Sequence, residues 1–532
     1  MFSSILVHTL TFKRANKMIT IHKTKQLITS HIYITVLQAF LALSVDATKM
    51  NSGNSDASVI VVGGGLAGLS ASIEASRLGA KVTIIEKEKN LGGNSAKATS
   101  GINGVGTDAQ SANKVTDSID AFVSDTLSSG DGLSKEELVQ VLGKQSGDAI
   151  TFLKSFGVNL TSVVQLGGHS AARTHRIPPT PEGKPSPVGW TIVSTLRKVV
   201  ENELADKVNV LTKSTLKTVL IEDGTVKGVA YTTEDGEQKE LAADAVILTA
   251  GGYANDHTET SLLAEYTPQL AKLPTTNGPW ATGDVVKIGR DAGMSLIHMD
   301  KVQVHPTGFI EPTQPTHSTK FLAPEALRGC GAILLNKDGA RFANELGRRD
   351  YLTEKIFGEC STYPGIEDGP TTAVMLMNKD VIDKFGAPSA GFYKFKKIIQ
   401  DVGTLEDVAT KLELSPEVLK KTLSEYKESS QAGKDQFGKT VFPVVFSETD
   451  HFLTAFITPT LHYCMGGIEI NPSAQVLNVN KEVVPGLYAA GEVSGGVHGN
   501  NRLGGNSLLE CTVFGRIAGI NAAKSKSSRS DL

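Results

Sequence analysis

Four short stretches in the second half of the chain bring histidine, arginine and glutamate together with glycine. Gln303 and His305 lie in QVHPT, and Glu325 and Arg328 lie in EALRG. Arg341, Asn344 and Glu345 lie in RFANE, which runs on to Arg348, Arg349 and Asp350. His462 lies in HYCMGG, and His498 and Arg502 lie in HGNNRLGG. Arginine grips a carboxylate through two parallel N–H donors, and histidine adds donors that can be neutral or charged. Taken singly, each residue has a structural explanation. A histidine before proline settles a loop, and an arginine in RFANE pairs with a neighbouring acid. Taken together, beside a dinucleotide fingerprint earlier in the chain, they describe a site for an anionic substrate.

Those side chains need a scaffold, and it is organised around VIVVGGGLAGLSASIEASRLGAKVTIIE, residues 59–86. Val59–Val62 is a short β-branched run of the kind that forms a buried strand. It ends in three spaced glycines. Gly63 allows the tight turn, Gly65 lets the backbone come close to a pyrophosphate, and Gly68 lets the following helix pack against the strand. That helix sets Ala67, Ala71 and Ala75 on one face, which can lie close to a sheet, and Gly79 ends it. Lys81–Glu86 is the next strand. Glu86 stands about twenty residues past the glycines, where an acidic side chain binds a ribose hydroxyl. The stretch KEKNLGGNSAKATSGING that follows is too rich in Gly, Ser and Asn for regular structure. It suits a loop laid along a bound cofactor.

Periodic apolar positions such as Ile119, Val123, Leu127, Leu138, Val141 and Leu142 mark residues 108–157 as helical. Trp190–Leu204 is predicted as a further helix. Short strands are expected at Val208–Val219, Thr225–Thr232 and Ala245–Thr249. The last runs into Ala250, Gly251 and Gly252, a second place where backbone can meet cofactor. Asp284 is expected near the N-cap of a helix reaching about Asp291. From about Asp300 to Phe452 short elements and frequent prolines suggest a second domain inserted in the first. Strand-and-glycine patterning then returns at Gly467–Ile470 and Leu487–Ala490, with Gly491 and Glu492 after them. Gly504 and Gly505 open a last helix reaching about Ala523. The expected division is a targeting segment and linker over 1–55, a cofactor domain over 56–299 and 456–532, and a capping and substrate domain over 300–455.

A chain of 532 residues can bury the cores of more than one domain. Its 40% hydrophobic and 20% charged content is that of a soluble globular protein. A net charge of -3 gives no reason to expect a nucleic-acid partner. Cys330, Cys360, Cys464 and Cys511 form neither CxxC nor CxxCH, so no iron–sulfur, zinc, haem or other metal site is visible. Electrons must then arrive from outside, and the cysteines are expected as reduced, mostly buried thiols. Residues 1–45 contain no Asp or Glu and carry Lys13, Arg14, Lys17, Lys23 and Lys25, which suits a mitochondrial presequence. The apolar run Ile32–Val45 offers the endoplasmic reticulum and secretory route as the alternative. That run is shorter than the roughly 20 residues of a membrane helix, so no stable membrane anchor is expected.

On these residues the chain resembles the soluble, fungal-type fumarate reductases within the flavoprotein family of fumarate reductases and succinate dehydrogenases. The resemblance runs from about Val59 to about Ala522. It is carried, in family order, by GGGLAG, GGNSAKATSGING, QLGGHSAARTHR, LPTTNG with ATGD, QVHPTGF, EALRG, NELGRRD, HYCMGG and AAGEVSGGVHGNNRLGGNSLLE. It implies an α/β fold, with a doubly wound, Rossmann-like FAD-binding domain and an inserted α+β capping domain that closes over substrate at the flavin. FAD contacts are implied at Gly63, Gly65, Leu66, Ala67 and Gly68, at Glu86 and Lys87, and at Gly92, Gly93, Asn94 and Ser95. Others are implied at Ser100, Gly101, Ile102, Ala250, Gly251, Asp284, Glu492, Arg502, Gly505, Ser507 and Leu508. The N-terminus of the last helix would face the flavin ring and stabilise negative charge on it.

The family roles carry over residue by residue. His305, His462 and Arg502, with Gln303, resemble the residues that clamp the substrate carboxylates and twist fumarate. Reduced FAD would give a hydride to one alkene carbon, and Arg349 a proton to the other. Glu325 and Arg328 match the relay that resupplies Arg349. Ser95 stands about where membrane-bound relatives carry the histidine that bonds to FAD, so FAD is expected to be held non-covalently. Pro324 stands where some relatives place a threonine on the substrate. The implied partners are a small dicarboxylate and either reduced flavin or NADH as electron donor. A relative of the same fold acting on another enoate or on L-aspartate, and a non-catalytic flavin-binding protein, are the alternatives.

Overall fold

The computed structural model describes residues 57–178, 180 and 187–525. The targeting segment expected over 1–55 lies outside them. In chain order, the elements that build the site begin with β1 (Ser58–Val62), α1 (Leu66–Arg77), β2 (Lys81–Ile85), β3 (Val208–Leu211), β4 (Ala245–Leu248) and α2 (Asp284–Asp291). Next come β5 (Val302–Phe309), α3 (Glu325–Gly329), β6 (Ile333–Leu335), α4 (Arg349–Glu359), β7 (Thr371–Asn378) and β8 (Phe452–Cys464). The chain closes with β9 (Gln475–Leu477), β10 (Val483–Ala489) and α5 (Asn506–Ala523).

One sheet runs β9-β10-β4-β1-β2-β3. All its pairings are parallel except that of β9 with β10. Val59–Val62 pairs residue by residue with Ala245–Leu248 on one side, and Ser58–Val62 with Lys81–Ile85 on the other. Val59–Val62 and Ala245–Leu248 are apolar and buried throughout because both faces are covered. The chain leaves β1 for β2 on one side and later returns to β4 on the other. Such a switch point leaves a crevice at the carboxyl ends of the strands. Helix α5 packs on α1, with Gly515 against the backbone of Ala67 and Gly519 against that of Ala71. The alanine face of α1 therefore admits a second helix, where the sequence reading placed a sheet.

A second, antiparallel sheet places Phe321–Leu322 beside β5, followed by β8, β7 and β6. It has its own buried cluster, including Phe309, Leu327, Leu334, Met375, Phe452 and Ile457. The cluster around the parallel sheet includes Val61, Leu69, Ile84, Ile247 and Phe514. The expectation of short elements between Asp300 and Phe452 holds for α3 and β6 but not for every element there. β7 spans 8 residues, and Pro416–Ala432 is a helix of 17. The prolines misled because they sit where they do no harm. Pro306 falls at the register shift between His305 and Gly308, opposite Thr458 and Thr460, and Pro416 opens its helix.

Two smaller expectations also change. Within the glycine-rich stretch, Gly93–Lys97 forms a 3-10 turn and Ile102–Asn103 a short strand paired with Thr174–Arg176. The cysteines carry free thiols, but only Cys464 and Cys511 are buried, while Cys330 and Cys360 are partly exposed. Gly283, at φ +67°, occupies the N-cap of α2, and Asp284 follows as its first residue, near the N-cap as expected. Among the described residues no helix is long and apolar enough to cross a membrane.

Candidate active site

A cavity of about 600 Å³ opens at the carboxyl ends of β1, β2 and β4. Glycine is required at its floor. A Cβ on Gly68 would stand 2.0 Å from the Gly63 carbonyl oxygen, and one on Gly63 would stand 2.7 Å from Ala250 Cα. At Gly65 the space is open, with only Ser95 Oγ within 4 Å of such a Cβ, at 3.8 Å, and at Gly251 nothing lies that close. Helix α1 follows Gly65, an N-cap with no side chain to cap it; Leu66 N gives to Ser95 Oγ at 3.3 Å, and the N-terminus faces the cavity as an anion site. Glu86 accepts from Gly64 N at 2.7 Å and from Glu88 N at 2.8 Å, one bond on each oxygen. Each oxygen keeps a lone pair for a hydroxyl. Burial raises the pKa of Glu86 despite these bonds.

Most residues expected to touch the cofactor line this cavity. Gly68, Gly92 and Ile102 do not. Gly68 is packed beneath Gly63, Gly92 gives its N–H to Gly64 O at 2.9 Å, and Ile102 is fully buried in its strand. These three shape the cradle from behind. Asp284 is held by Lys87, with Nζ 2.6 Å from Oδ2, so the two close one side of the cavity as an ion pair. Glu492 accepts from Cys464 N at 2.9 Å, and burial pushes its carboxyl up to about 7. The indole N–H of Trp280 and the Nε of Arg502 are buried without a partner among the described residues, and both side chains line the cavity. Open glycine backbone, a carboxylate at the end of β2 and free N–H donors at the far end fit an extended dinucleotide with an acceptor-bearing ring.

At that far end His462, Arg349 and Arg502 share the lining. His462 Nδ1 meets Thr276 Oγ1 at 2.7 Å, which fixes its ring. His305 lies behind it, with ring centroids 5.2 Å apart, and its Nδ1 is engaged by the Thr307 backbone at 3.2 Å. His305 is buried and does not reach the lining. Burial, and next the charge of Arg349, hold both imidazoles well below their ordinary pKa, so both are neutral at pH 7. Arg502 lies over the Tyr463 ring at 4.3 Å. Burial first, then repulsion from Arg349, pull its pKa down to about 10.

Gln303 is placed differently from the expectation that it binds substrate. Its Oε1 accepts from Arg349 Nη1 at 2.7 Å, and its Nε2 donates to Arg502 O at 2.9 Å and Asn501 Oδ1 at 2.8 Å. The amide is committed at both ends and lies outside the lining. Arg349, the first residue of α4, also reaches Glu325 Oε2 at 3.3 Å. Glu325 opens α3 and accepts from Gly167 N at 3.2 Å. Burial raises its pKa, but the charges of Arg349 and Arg328 and these bonds outweigh it, so Glu325 is ionised. Arg328 is buried and donates Nη1 to the Glu345 carbonyl oxygen.

Arg341 and Arg348 stay outside the site. Arg341 pairs with Glu345 and Asp435, and Arg348 with Asp131 and Asp350. His498 bonds Glu510. Sequence reasoning passed over Lys97, whose Nζ gives to Thr276 O at 2.6 Å and whose pKa burial pulls down to about 8. It is the one basic residue in GGNSAKATSGING, which was the available signal. Thr276 was equally legible in LPTTNG. Two arginines and a lysine beside neutral histidines make a pocket for an anion, and the ionised Glu325 stands behind Arg349 as a proton acceptor that can relay protons to it.

The FAD binding domain family matches residues 58–508. Fumarate reductase 1 of Saccharomyces cerevisiae is 42% identical over 483 residues, covering 88% of this chain and 99% of its own length. The fumarate reductase of Schizosaccharomyces pombe is 37% identical over 484 residues, covering 89% of this chain and 91% of its own. Among solved structures, the open conformation of a flavocytochrome c3 fumarate reductase is similar with a TM-score of 0.72 at 33% identity. That match covers 92% of this chain and 81% of the other.

Proposed function

Because the chain belongs to the FAD-binding family of fumarate reductase and succinate dehydrogenase flavoproteins, we propose that it reduces fumarate to succinate. The observation that carries this reading is the grouping of Arg502 and His462 with Arg349, itself 3.3 Å from an ionised Glu325. Arg502 and His462 bind the two carboxylates, with Lys97 adding positive charge. Neutral imidazoles act as hydrogen-bond donors, so charge recognition rests on the guanidinium and ammonium groups. FAD would be held along β1, α1 and β2, and when reduced it would supply a hydride to one alkene carbon. Arg349 gives a proton to the neighbouring carbon, and Glu325, ionised at rest, relays to Arg349 a proton taken up from solvent. A guanidinium normally keeps its proton. Its transfer to a carbanion-like carbon is brief, and a proton relayed from solvent through the adjacent Glu325 restores the guanidinium. Arg328 supports this relay by its charge on Glu325.

Ser95 takes no covalent bond to the flavin, and the segment over 300–455 closes on the substrate as a cap. Reduced flavin or NADH delivers the electrons, and the composition of residues 1–45 directs the chain to the mitochondrion. The test is anaerobic turnover of the purified flavoprotein with chemically reduced FMN and a panel of fumarate, urocanate and acrylate, beside bleaching of the oxidised flavin by L-aspartate. Fumarate is expected to be the best acceptor by at least about tenfold, the loss of one hydrogen bond to a charged group. Faster turnover of a monocarboxylate would overturn the assignment.

A further inference from the structure

Arg502 makes no direct ion pair among the described residues. Its Nη1 gives to Leu503 O at 3.2 Å, its Nε has no partner, and its guanidinium rests 4.3 Å above the Tyr463 ring. Behind that ring lies a second layer of polar groups. The Tyr463 hydroxyl donates to Glu510 Oε2, and His498 Nε2 meets the same oxygen at 2.9 Å. The Tyr463 and His498 rings stand edge to face at 5.6 Å. All four side chains are buried, Glu510 to within 1% of complete. Glu510 projects from α5 between Leu509 and Cys511, on a helix whose buried face is otherwise apolar apart from Asn506 and Thr512. A carboxylate in such surroundings is costly to bury unless nearby charge and hydrogen bonds compensate it.

We propose that Glu510 is a positioning residue for the substrate clamp, fixing the Tyr463 ring beneath Arg502 and supplying across that ring the negative charge that balances the guanidinium. This rests on the reading of Arg502 as the carboxylate clamp. A phenol donating to a carboxylate becomes more electron-rich, which strengthens the attraction of its face for a cation. Sharing one oxygen between Tyr463 and His498 also fixes the ring's rotation. The titratable and charged groups facing Arg502 are Arg349 from α4, His462 and Tyr463 from β8, Glu492 from the turn after β10, and Glu510 from α5. Arg349 opposes the Arg502 proton, while Tyr463, Glu492 and Glu510 favour it. Removing the Glu510 charge weakens one of the few terms that hold that proton in a buried site.

The experiment compares flavin-loaded wild type, Glu510→Gln and Tyr463→Phe. The dissociation constant of succinate is read from the perturbation of bound-flavin absorbance between pH 6 and pH 10, beside fumarate turnover. Glu510→Gln keeps shape and loses charge. It is expected to weaken succinate about tenfold and to move the alkaline loss of binding about one pH unit lower, the effect of one nearby opposite charge. The fall in kcat is expected to be smaller than the rise in KM. Tyr463→Phe keeps both ring and charge, so it is expected to weaken succinate about threefold, the loss of one hydrogen bond, with the alkaline limb in place. A loaded Glu510→Gln protein with wild-type affinity and a wild-type alkaline limb overturns the proposal. If Glu510→Gln does not retain flavin, Tyr463→Phe decides, and wild-type succinate affinity in that variant overturns it. A wild-type protein whose flavin spectrum ignores both succinate and fumarate instead overturns the functional reading, so the two failures are distinct.

Discussion

Gln303→Leu removes a side chain that works at both ends. Its carbonyl takes a hydrogen bond of 2.7 Å from Arg349, and its amide gives bonds of 2.9 and 2.8 Å to Arg502 O and Asn501 Oδ1. The site is 4% exposed, and leucine nearly matches glutamine in volume, so the change deletes hydrogen bonds without opening a large void. A hydrogen bond to a charged group contributes about 1.5–3 kcal/mol, and each buried group left unpaired costs about 1–3 kcal/mol. Arg349 then keeps only the contact of 3.3 Å with Glu325 and is drawn toward it. Displacing a reacting group by about 1 Å costs on the order of a hundredfold in rate. The expected result is a kcat about a hundredfold lower, a lower melting temperature and unchanged flavin content, since Gln303 does not line the cofactor cavity. The assay is anaerobic, fumarate-dependent oxidation of reduced FMN, with flavin stoichiometry read from absorbance. A variant that keeps wild-type kcat would refute the role given to the tether.

Gly68→Ala places a Cβ 2.0 Å from the Gly63 carbonyl and 2.8 Å from Thr249 Oγ1, so α1 must move off the β1 turn. Overpacking of this kind costs about 1–3 kcal/mol or more. The variant is expected to purify with less than one flavin per chain and a lowered melting temperature, and full flavin content would count against the cradle described. His305 and His462 titrate below an ordinary histidine because of burial and then Arg349. A bound dianion offsets that positive charge and lifts them toward the ordinary value of about 6.5. Fumarate or succinate binding is therefore expected to take up protons at pH 6 and fewer at pH 8. Calorimetry in buffers of different ionisation enthalpy measures this, and proton release at pH 6 would contradict it. The same depression fixes the sign of the stability change. The unfolded chain protonates first, so these histidines lower stability as pH falls from about 6.5 toward their folded values.

The cofactor end was the most legible part of the sequence because its chemistry is local. Gly63, Gly65, Gly68 and Glu86 act within one strand-helix-strand unit, and their spacing carries their roles. At the other end, residue type announced Arg349, His462 and Arg502 but not what each one touches. Gln303 reads equally well as a substrate ligand or as a tether, and its partners stand 46 and 199 positions away. Thr276 holds His462 across 186 positions, and Glu510 meets Tyr463 across 47. Nothing in the intervening sequence encodes those meetings. The length of β8 was hidden for another reason. Pro459 lowers strand propensity in its middle, yet the register shift beside Pro306 absorbs the missing donor. The alanines of α1 specified close approach without specifying the partner, which proved to be α5.

The proton donated by Arg349 is the central claim, and one comparison tests it most directly. Wild type and Arg349→Ala, both loaded with FAD, are mixed anaerobically with reduced FMN, with and without fumarate. Rapid fumarate-dependent oxidation is expected in the wild type. A loss of at least about a hundredfold is expected in the variant, the usual effect of removing one positioned acid. Full turnover in Arg349→Ala would contradict the claim and place the proton donor elsewhere in the site.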